Sequence, residues 1–500
     1  MNLRTLINEP AAPDVLVSNL TLDTRTLAPG DVFVALPGAE HDGRDFIESA
    51  LAAGAAAVLM ESGRALHQDD ARVISIAGLK GELGALANRL YGSPSDDLNV
   101  VAVTGTNGKT STVEFMRQIW KRVTWDSASI GTLGMQGIES RDMQGTMMGL
   151  AALTTPDALR LHPALHQLAG AGITHLAIEA SSHGLEQHRL DGMNVHIAGF
   201  TNLSRDHLDH HPDIDAYFAA KTRLFTDLLM PGGTAVINID DAHGTRLAAQ
   251  LRGDDSREIV VLTIGETKGA DFHIQAITPM EFGLDITVAH GHTVMRVPVA
   301  LAGRFQAMNA MTAAVMAHAS GLALHDSLGA LAYVTGAEGR MQLIAGHPAG
   351  LRVIIDYAHT PDALRAALVA LRPEAGNRLA VLFGAGGDRD PGKRPMMGAA
   401  AAELADLVFV TDDNPRSEAP DAIRRDIIAA CPQAREISDR AEAISVALSE
   451  LGHDDVLLIA GKGHENFQLV GDETLPFSDA SVARKVIGDL ASTRQQGAQR

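Results

Sequence analysis

A glycine-rich stretch that contains one lysine carries the clearest chemical signal in this sequence. It reads Thr104-Gly-Thr-Asn-Gly-Lys-Thr-Ser111, follows the apolar run at residues 99–104, and precedes the helix-like run at residues 112–120. In this strand–loop–helix order, Gly105 and Gly108 let backbone N–H groups converge on phosphate oxygens, and the helix N-terminus adds its positive dipole end. A tight turn with an incidental lysine is the alternative interpretation, and the order of the elements favours phosphate binding.

Lys109 and Thr110 indicate which part of a nucleotide such a loop would bind. The lysine ammonium can reach the β- and γ-phosphates, and the threonine hydroxyl can bind Mg²⁺. One residue departs from the usual phosphate loop, in which the first glycine would stand at the position of Val103. The loop therefore predicts nucleotide binding and leaves kinase, hydrolase and ligase activities open.

Acidic and histidine residues follow two further apolar runs and could hold a metal ion. Glu179 ends one run, and a carboxylate at the end of a buried strand is costly unless it binds a cation. The second run precedes Asp206-His-Leu-Asp-His-His211, where the alternative is a polar loop with capping or packed histidines. We favour a metal or phosphate role. Mg²⁺ suits these oxygen ligands, whereas structural zinc usually needs cysteines at short spacing, and Cys431 stands alone.

A second lysine lies on a predicted helix over residues 214–225. Lys221 falls near Tyr217, Phe218 and Phe225 on that helix. From residue types alone, this is the pattern of a surface lysine whose aliphatic stem covers apolar neighbours.

Bulk properties restrict the class of protein. A chain of 500 residues suggests about three domains. No apolar run approaches the roughly 20 residues of a membrane helix, the first eight residues lack a secretory signal, and one cysteine forms no internal disulfide. We therefore expect a cytoplasmic protein without membrane insertion. The net charge of −20 argues against a nucleic-acid partner.

Short β-branched runs alternate with amphipathic stretches, which predicts an α/β fold with parallel sheet. Polar clusters follow most of these runs, and ligands bind at the carboxyl ends of strands in such sheets. The predicted buried strands are 99–104, 174–178, 234–238, 353–356, 379–383, 407–411 and 456–460.

Taken together, the phosphate loop, the Glu179-Ala-Ser-Ser-His183 stretch and Asn202-Leu-Ser-Arg-Asp-His-Leu-Asp-His210 resemble the Mur ligases, the amide-forming enzymes of peptidoglycan synthesis. The resemblance extends in order over nearly the whole chain. It implies three domains: an N-terminal UDP-binding α/β domain at 1–97, a central P-loop ATPase domain with mostly parallel sheet at 98–337, and a C-terminal Rossmann-like α/β domain at 338–500.

The resemblance also implies ligands and roles for individual residues. ATP and Mg²⁺ are the expected cofactors, and UDP-N-acetylmuramoyl-L-alanyl-D-glutamate is the expected acceptor. Lys221 resembles a lysine that the family carries as a carbamate, which turns a cation into a Mg²⁺ ligand. By resemblance, the catalytic residues are Lys109, Glu179, His207, His210 and Lys221, and the Mg²⁺ ligands are Thr110, Glu179, His210 and Lys221. The residues expected to contact ATP are Gly105, Thr106, Asn107, Gly108, Lys109, Thr110, Ser111, Asn309, Arg340 and Asp356. The residues expected to contact the acceptor are Leu22, Thr24, Ala39, Glu40, His41, Thr154, Thr155, Ser181, Gln187 and Arg189.

The stretch Asp413-Asn-Pro-Arg416 bears on the amino acid that is added. It matches the motif by which family members that add meso-diaminopimelate differ from those that add lysine. Diaminopimelate resembles lysine with an extra carboxylate, with which Arg416 can form paired hydrogen bonds. Lysine would leave that guanidinium unpaired, and binding sites select strongly against such a loss. By resemblance, the remaining contacts are Arg389, Gly461 and Glu465, of which Glu465 would hold the distal amine.

The implied reaction is ATP-dependent amide formation through an acyl phosphate, with the third domain closing over the second to exclude water. We expect a monomer. The nearest rival is folylpolyglutamate synthase, which should lack both the first domain and the motif at 413–416. A kinase or hydrolase would turn over ATP without an amino acid, and a non-catalytic nucleotide-binding module would not need Lys109, Glu179 and Lys221.

Overall fold

The computed structural model describes residues 1–38, 41–63, 70–138, 153–204, 210–280 and 283–498, with side chains to residue 493. Within these residues the chain forms two compact units, one of residues 1–272 with 312–327, and one of residues 273–311 with 328–500. In the part that the structure describes, no helix combines the length and apolarity that crossing a membrane requires. The domain boundaries at 97/98 and 337/338 stay predictions.

The N-terminal part of the first unit is a small parallel sheet with helices. Its strands lie in the order β1-β2-β3-β4, and every residue of β2 is buried. Because β1 and β2 are parallel neighbours, the loops that follow them share one edge of the sheet. The elements are α1 (Leu3–Ile7), β1 (Leu20–Thr21), β2 (Val32–Ala35), α2 (Ile47–Ala52), β3 (Ala57–Glu61), β4 (Val73–Ile76) and α3 (Leu79–Leu90).

A larger, mostly parallel sheet follows in the first unit. Its elements are β5 (Asn99–Thr104), α4 (Lys109–Arg122), β6 (Ser127–Gly131), β7 (Gly134–Gln136), α5 (Ala158–Gly170), β8 (His175–Glu179), α6 (Ser182–Glu186), β9 (Val195–Phe200), α7 (Ile214–Arg223), β10 (Leu229–Asn238), α8 (Ala242–Arg252) and β11 (Val260–Gly265). The strand order is β11-β10-β9-β5-β8-β6-β7, and β7 alone of these strands runs antiparallel to its neighbour. Strands buried on both faces need continuous apolar sequence, which explains the run at residues 100–103.

Two predicted helices differ from the observed ones at their ends. The helix after the glycine-rich loop begins at Lys109 itself, so that the loop residues lie at its N-terminus. The helix predicted over 214–225 is α-helical only to Arg223, and a wider π-helical turn covers Leu224–Leu228. Apolar periodicity does not distinguish these two helical forms, because both bury the same residues over a single turn.

His162 on α5 gives this unit a dependence on pH. Its side chain is fully buried, and Nε2 lies 3.1 Å from the Asp191 carbonyl oxygen. Burial lowers the pKa of His162 from 6.5 to about 4, against the opposing effect of that hydrogen bond. An unfolded chain therefore takes up a proton between pH 6.5 and 4 that the folded chain excludes.

We expect the free energy of unfolding to decrease as pH falls through that window, with His162 contributing about 3 kcal/mol of the decrease by pH 4. His162→Gln should lose this part of the pH dependence, because glutamine keeps an N–H donor and does not titrate. Urea unfolding at pH 7 and pH 4.5 measures it. His166→Gln on the exposed face of the same helix is the control, and an equal pH slope in all three proteins would contradict the assignment.

The second unit contains an antiparallel set of strands and a second parallel sheet. The sheet order is β15-β16-β20-β17-β18-β19, with β15 antiparallel to β16 and the other adjacent pairs parallel. From residue 272 the elements are β12 (Phe272–Met280), β13 (Gly283–His290), β14 (Thr293–Val299), α9 (Arg304–Ala319), α10 (Leu324–Ala330), β15 (Gln342–Ile344), β16 (Arg352–Asp356), α11 (Pro361–Leu371), β17 (Leu379–Phe383), α12 (Lys393–Leu404), β18 (Leu407–Val410), α13 (Pro420–Ile428), β19 (Arg435–Glu436), α14 (Arg440–Glu450), β20 (Val456–Ala460), β21 (Phe467–Val470), β22 (Glu473–Pro476) and α15 (Asp479–Ala498). All seven predicted buried strands are present, and the fold is α/β as predicted.

Candidate active site

The glycine-rich loop connects β5 to α4 and is held by the segment after β9. Thr106 N donates to the Asn202 carbonyl oxygen at 2.8 Å, and Asn107 N donates to Asn202 Oδ1 at 3.0 Å. Gly105 has a φ of +148°, which only glycine adopts readily, and the side chain of Thr201 lies where a Cβ at Gly105 would be. The loop therefore keeps its shape through contacts with a neighbouring strand end.

Two lysine side chains converge on the carbonyl groups of this loop. Lys109 Nζ donates to the carbonyl oxygens of Gly105 and Thr106, both at 2.9 Å. Lys221 Nζ donates to the same Gly105 oxygen at 2.9 Å and lies 4.4 Å from the centre of the Tyr217 ring. Lys221 is 1% exposed, so the surface-lysine interpretation is wrong for this residue. The helix face that carries it turns toward the loop, which sequence periodicity alone does not reveal.

Glu179, at the end of β8, joins the loop to the end of β6. Its Oε2 accepts from the Thr110 hydroxyl at 3.0 Å, and its Oε1 accepts from Thr132 N at 2.7 Å. Gly131 permits this approach, because the carboxylate occupies the position that a Cβ at residue 131 would take. The sequence interpretation did not include Thr132, which follows β6, a buried strand that was not among the predicted ones.

The chemistry of these side chains fits Mg²⁺. Mg²⁺ binds through one or two protein oxygens together with substrate phosphates, and Thr110 and Glu179 supply a hydroxyl and a carboxylate beside the phosphate loop. A cluster of three or more acidic, histidine or cysteine side chains suited to a metal ion does not occur among the described residues.

Two histidines that follow Glu179 in the sequence lie close together in the structure. The rings of His183 and His210 are 5.0 Å apart, and the pKa of His183 is lowered mainly by burial and further by Arg189 and His210. His211 is buried against Tyr217. The predicted catalytic residue His207 lies outside the described residues.

The residues predicted to bind the acceptor peptide form one hydrogen-bonded chain. Thr155 Oγ1 donates to the Glu179 carbonyl oxygen at 2.9 Å and lies 3.0 Å from Ser181 Oγ. Arg189 donates to the Thr155 carbonyl oxygen at 3.0 Å and to Gln187 Oε1 at 2.8 Å. This set of predicted residues therefore lies together at the carboxyl end of β8.

Thr154 connects this chain to the nucleotide loop. Its hydroxyl lies 3.2 Å from that of Thr132, whose own hydroxyl donates to Glu179 Oε2 at 3.3 Å. The two predicted sites are thus joined through Thr132.

The residues predicted to bind the uridine end lie at a different sheet edge. Leu22 and Thr24 follow β1, and exposed His41 follows β2, with its ring edge-on to Phe46 at 6.5 Å. Because β1 and β2 are parallel neighbours, the loops that carry these residues lie beside each other. Ala39 and Glu40 lie outside the described residues.

Within the second unit, the predicted ATP contacts form a connected polar group. Asn309 Nδ2 donates to Gln306 Oε1 at 3.1 Å, and Gln306 Nε2 donates to the Arg340 carbonyl oxygen at 3.1 Å. The Arg340 guanidinium lies 4.7 Å from the Tyr357 ring centre. Gln306 therefore links Asn309 to the Arg340 backbone.

Asp356 belongs to the same region of the second unit. Its carboxylate accepts from Met341 N at 2.8 Å and from Ala358 N at 2.9 Å. Burial raises the pKa of Asp356, against the lowering effect of Arg340 and these two hydrogen bonds. The two backbone contacts indicate that Asp356 shapes the turn after β16.

The predicted diaminopimelate residues come from three loops at the carboxyl ends of adjacent strands β20, β17 and β18. Arg416 Nη1 donates to the Gly387 carbonyl oxygen at 2.8 Å, and Gly387 N donates to the Asn414 carbonyl oxygen at 2.9 Å. Asn414 Nδ2 donates to Glu465 Oε2 at 2.8 Å. These contacts connect the predicted residues Asn414, Arg416 and Glu465 through Gly387, which was not in the predicted set.

The other members of the set lie around the same loops. The side chains of Arg389 and Arg416 both approach Gly386, and Asp413 Oδ2 lies 2.6 Å from where a Cβ on Gly461 would be. Asp413 and Pro415 are buried, whereas Arg389 is exposed. Arg416 approaches Gly386 with its guanidinium and Arg389 with its aliphatic stem, and a guanidinium is suited to a carboxylate of a ligand.

Comparisons with known proteins identify the family to which the chain belongs. The family models "Mur ligase family, catalytic domain", "Mur ligase middle domain" and "Mur ligase, glutamate ligase domain" match residues 16–91, 103–317 and 339–463. The chain belongs to the Mur ligase family. A UDP-N-acetylmuramoyl-L-alanyl-D-glutamate–2,6-diaminopimelate ligase of Bradyrhizobium diazoefficiens is 47% identical to it, over 96% of this chain and 97% of that protein. The Pseudomonas aeruginosa protein of the same name is 42% identical, over 97% and 98%.

Solved structures extend the comparison to the fold. A structure of a protein with that same ligase name has a TM-score of 0.74 and 33% identity, and covers 98% of this chain and 99% of its own. A Mycobacterium tuberculosis folylpolyglutamate synthase in complex with ADP and AMPPCP has a TM-score of 0.61 at 20% identity, and covers 82% of this chain. The latter likeness concerns the fold alone.

Proposed function

We propose that this protein adds meso-2,6-diaminopimelate to UDP-N-acetylmuramoyl-L-alanyl-D-glutamate: ATP phosphorylates the acceptor carboxylate to give ADP and an acyl phosphate, and the amine of diaminopimelate then displaces phosphate to form the amide. The chain is an ATP-dependent ligase of peptidoglycan synthesis. Its product would serve cytoplasmic cell-wall assembly, and through it cell shape and division. The observation that carries the choice of amino acid is the grouping of Arg416, Asn414 and Glu465, which offers a guanidinium to a carboxylate and a carboxylate to an amine.

A carboxylate does not condense with an amine at neutral pH, because its oxygen is a poor leaving group. Transfer of the γ-phosphoryl group of ATP to the acceptor carboxylate makes that oxygen part of a phosphate, which is a good leaving group. The negative charge of the phosphoryl group must be stabilised during the transfer. Lys109, at the N-terminus of α4, is placed for that role, and the N–H groups of residues 108–111 would bind the phosphates. Bound Mg²⁺, held by Thr110 and Glu179, would neutralise phosphate charge.

The acceptor peptide would bind along the hydrogen-bonded chain of Thr154, Thr155, Ser181, Gln187 and Arg189. Because Thr154 connects through Thr132 to Glu179, the acceptor carboxylate would lie beside the nucleotide phosphates. We assign phosphate or metal contacts to His207 and His210, and nucleotide contacts to Asn309, Arg340 and Asp356. The uridine diphosphate end would bind near Leu22, Thr24 and residues 39–41.

Lys221 would act as a carbamate. Its burial beside the phosphate loop supports this role, since a carbamate would turn the buried cation into an anionic oxygen ligand for Mg²⁺. With ¹³C-labelled bicarbonate, we expect a carbamate signal in the ¹³C spectrum of the wild-type protein that is absent from Lys221→Met. A signal of equal intensity in both proteins would exclude Lys221 as its source.

Phosphate release tests the function directly. The protein is incubated with ATP, Mg²⁺ and UDP-N-acetylmuramoyl-L-alanyl-D-glutamate, and the rate is compared with meso-diaminopimelate, with lysine and with no amine. We expect release to depend on diaminopimelate. Equal phosphate release without an amine would indicate a kinase or hydrolase. Equal rates with lysine and with diaminopimelate would contradict the assignment of diaminopimelate as the specific substrate.

A further inference from the structure

A fully buried lysine contacts the side chains of Asn414 and Glu465. Lys462 is 0% exposed, and its Nζ donates to Asn414 Oδ1 at 2.9 Å and to Glu465 Oε2 at 3.3 Å. A buried cation is costly unless its charge and its N–H groups are all matched by partners. The charge of Lys462 is matched here by Glu465, so the positions of these two side chains are coupled.

Lys462 determines which way the Asn414 amide points. The amide oxygen accepts from Lys462 Nζ and from Leu469 N at 3.0 Å, so two donors fix it on one side. The amide nitrogen is thereby turned toward Glu465, to which it donates at 2.8 Å. Without the lysine, the Asn414 amide would keep its bonds to Leu469 N and to Glu465, but the amide oxygen would lose its charged donor and Glu465 its cationic partner.

Lys462 also fixes the Glu465 carboxylate. Within the described chain, both side-chain hydrogen bonds of that carboxylate, from Asn414 and from Lys462, are made by Oε2. Oε1 is therefore the oxygen available to an ammonium group of a ligand. An anchored carboxylate loses less conformational freedom on binding than a mobile one, so anchoring strengthens binding.

The backbone beside Lys462 is itself held by a buried ion pair. Arg440 and Asp479 are both 0% exposed and bond at 2.7 and 2.8 Å, and Arg440 also donates to the Ala460 carbonyl oxygen at 2.9 Å. Ala460 ends β20, two residues before Lys462. The position of Lys462 is therefore rigid, which a positioning role requires.

We infer that Lys462 is a positioning residue for the amino-acid substrate: it orients Asn414 and Glu465 for an amino group of a diamino dicarboxylic acid without contacting that substrate. This inference rests on the proposed function. It predicts that Lys462 affects the binding of diaminopimelate and does not affect the binding of ATP or of the nucleotide-linked peptide.

Steady-state kinetics of Lys462→Met test this role. We expect the KM for meso-diaminopimelate to rise about 10- to 100-fold, as expected for lost hydrogen bonds to a charged group. The KM values for ATP and the UDP-linked dipeptide should change less than about threefold. Lys485→Met, the same substitution at an exposed position of the same unit, should match wild type. An unchanged KM for diaminopimelate, or a parallel rise in all three KM values, would overturn the inference.

A double-mutant cycle with Glu465→Gln separates positioning from general structural support. In the Glu465→Gln protein, the lysine has lost its charged partner, so adding Lys462→Met should change the KM for diaminopimelate less than about threefold. An equal cost in both backgrounds would overturn the inference. If Lys462→Met alone does not fold, the double variant still decides, because it leaves no unpaired buried charge. Wild-type protein that releases phosphate without diaminopimelate would instead refute the proposed function.

Discussion

Replacing Lys109 with methionine is expected to lower kcat about 1000-fold or more, because no other loop side chain supplies charge to the transferring phosphoryl group at the start of α4. Methionine nearly matches the length of lysine and removes only the ammonium group, whose Nζ donates to the Gly105 and Thr106 carbonyl oxygens. The measurement is diaminopimelate-dependent phosphate release at saturating ATP.

The exposed Lys121 on the same helix provides the matched control. Lys121→Met should keep the wild-type rate, and both variants should unfold within a few degrees of wild type. A Lys109→Met protein that retained more than about a tenth of the rate would show that Lys109 does not stabilise the transferred charge.

Replacing Arg416 with methionine is expected to abolish the preference for diaminopimelate over lysine. The guanidinium supplies paired N–H donors for the extra carboxylate, so kcat/KM for diaminopimelate should fall about 1000-fold. The value for lysine should change little, since lysine lacks that carboxylate. Competition between the two amino acids in one reaction, with products separated by mass, measures the ratio.

Two further variants sharpen this result. Arg416→Lys keeps the charge and loses the fork of donors, so it should recover only part of the preference. Arg425→Met, at an exposed position on α13, should behave as wild type. If Arg416→Met kept the wild-type ratio, another residue would have to select the amino acid, and Arg389 beside Gly386 would be the next candidate.

Local sequence was sufficient for seven of the buried strands and for the phosphate loop, but not for others such as β2 and β6. Residues 100–103 are apolar without alternation, and the loop after them combines two glycines with a lysine at a helix start. Both features follow from backbone requirements within one short segment. The polar loops at strand ends could also be expected to lie together, since parallel neighbouring strands place the loops that follow them at one edge of the sheet.

The lengths of some elements could not be predicted. The helix with Lys221 changes to a π-helical turn at Leu224, and apolar spacing is nearly the same for both forms. Thr132 was overlooked because a single threonine after a strand carries no distinctive pattern. Its role became visible only through its contacts with Glu179 and Thr154.

By itself, the sequence determined the α/β class, the phosphate loop and the guanidinium at residue 416, because those features depend on residues close together in the chain, and the resemblance over nearly the whole chain indicated a ligase. Only the tertiary structure decided that Lys221 is buried against Gly105, 116 residues away, and that Lys462 lies behind Asn414 and Glu465. Burial and hydrogen bonding between distant segments depend on how strands and helices pack, and no local pattern encodes which side chain a packed helix turns inward.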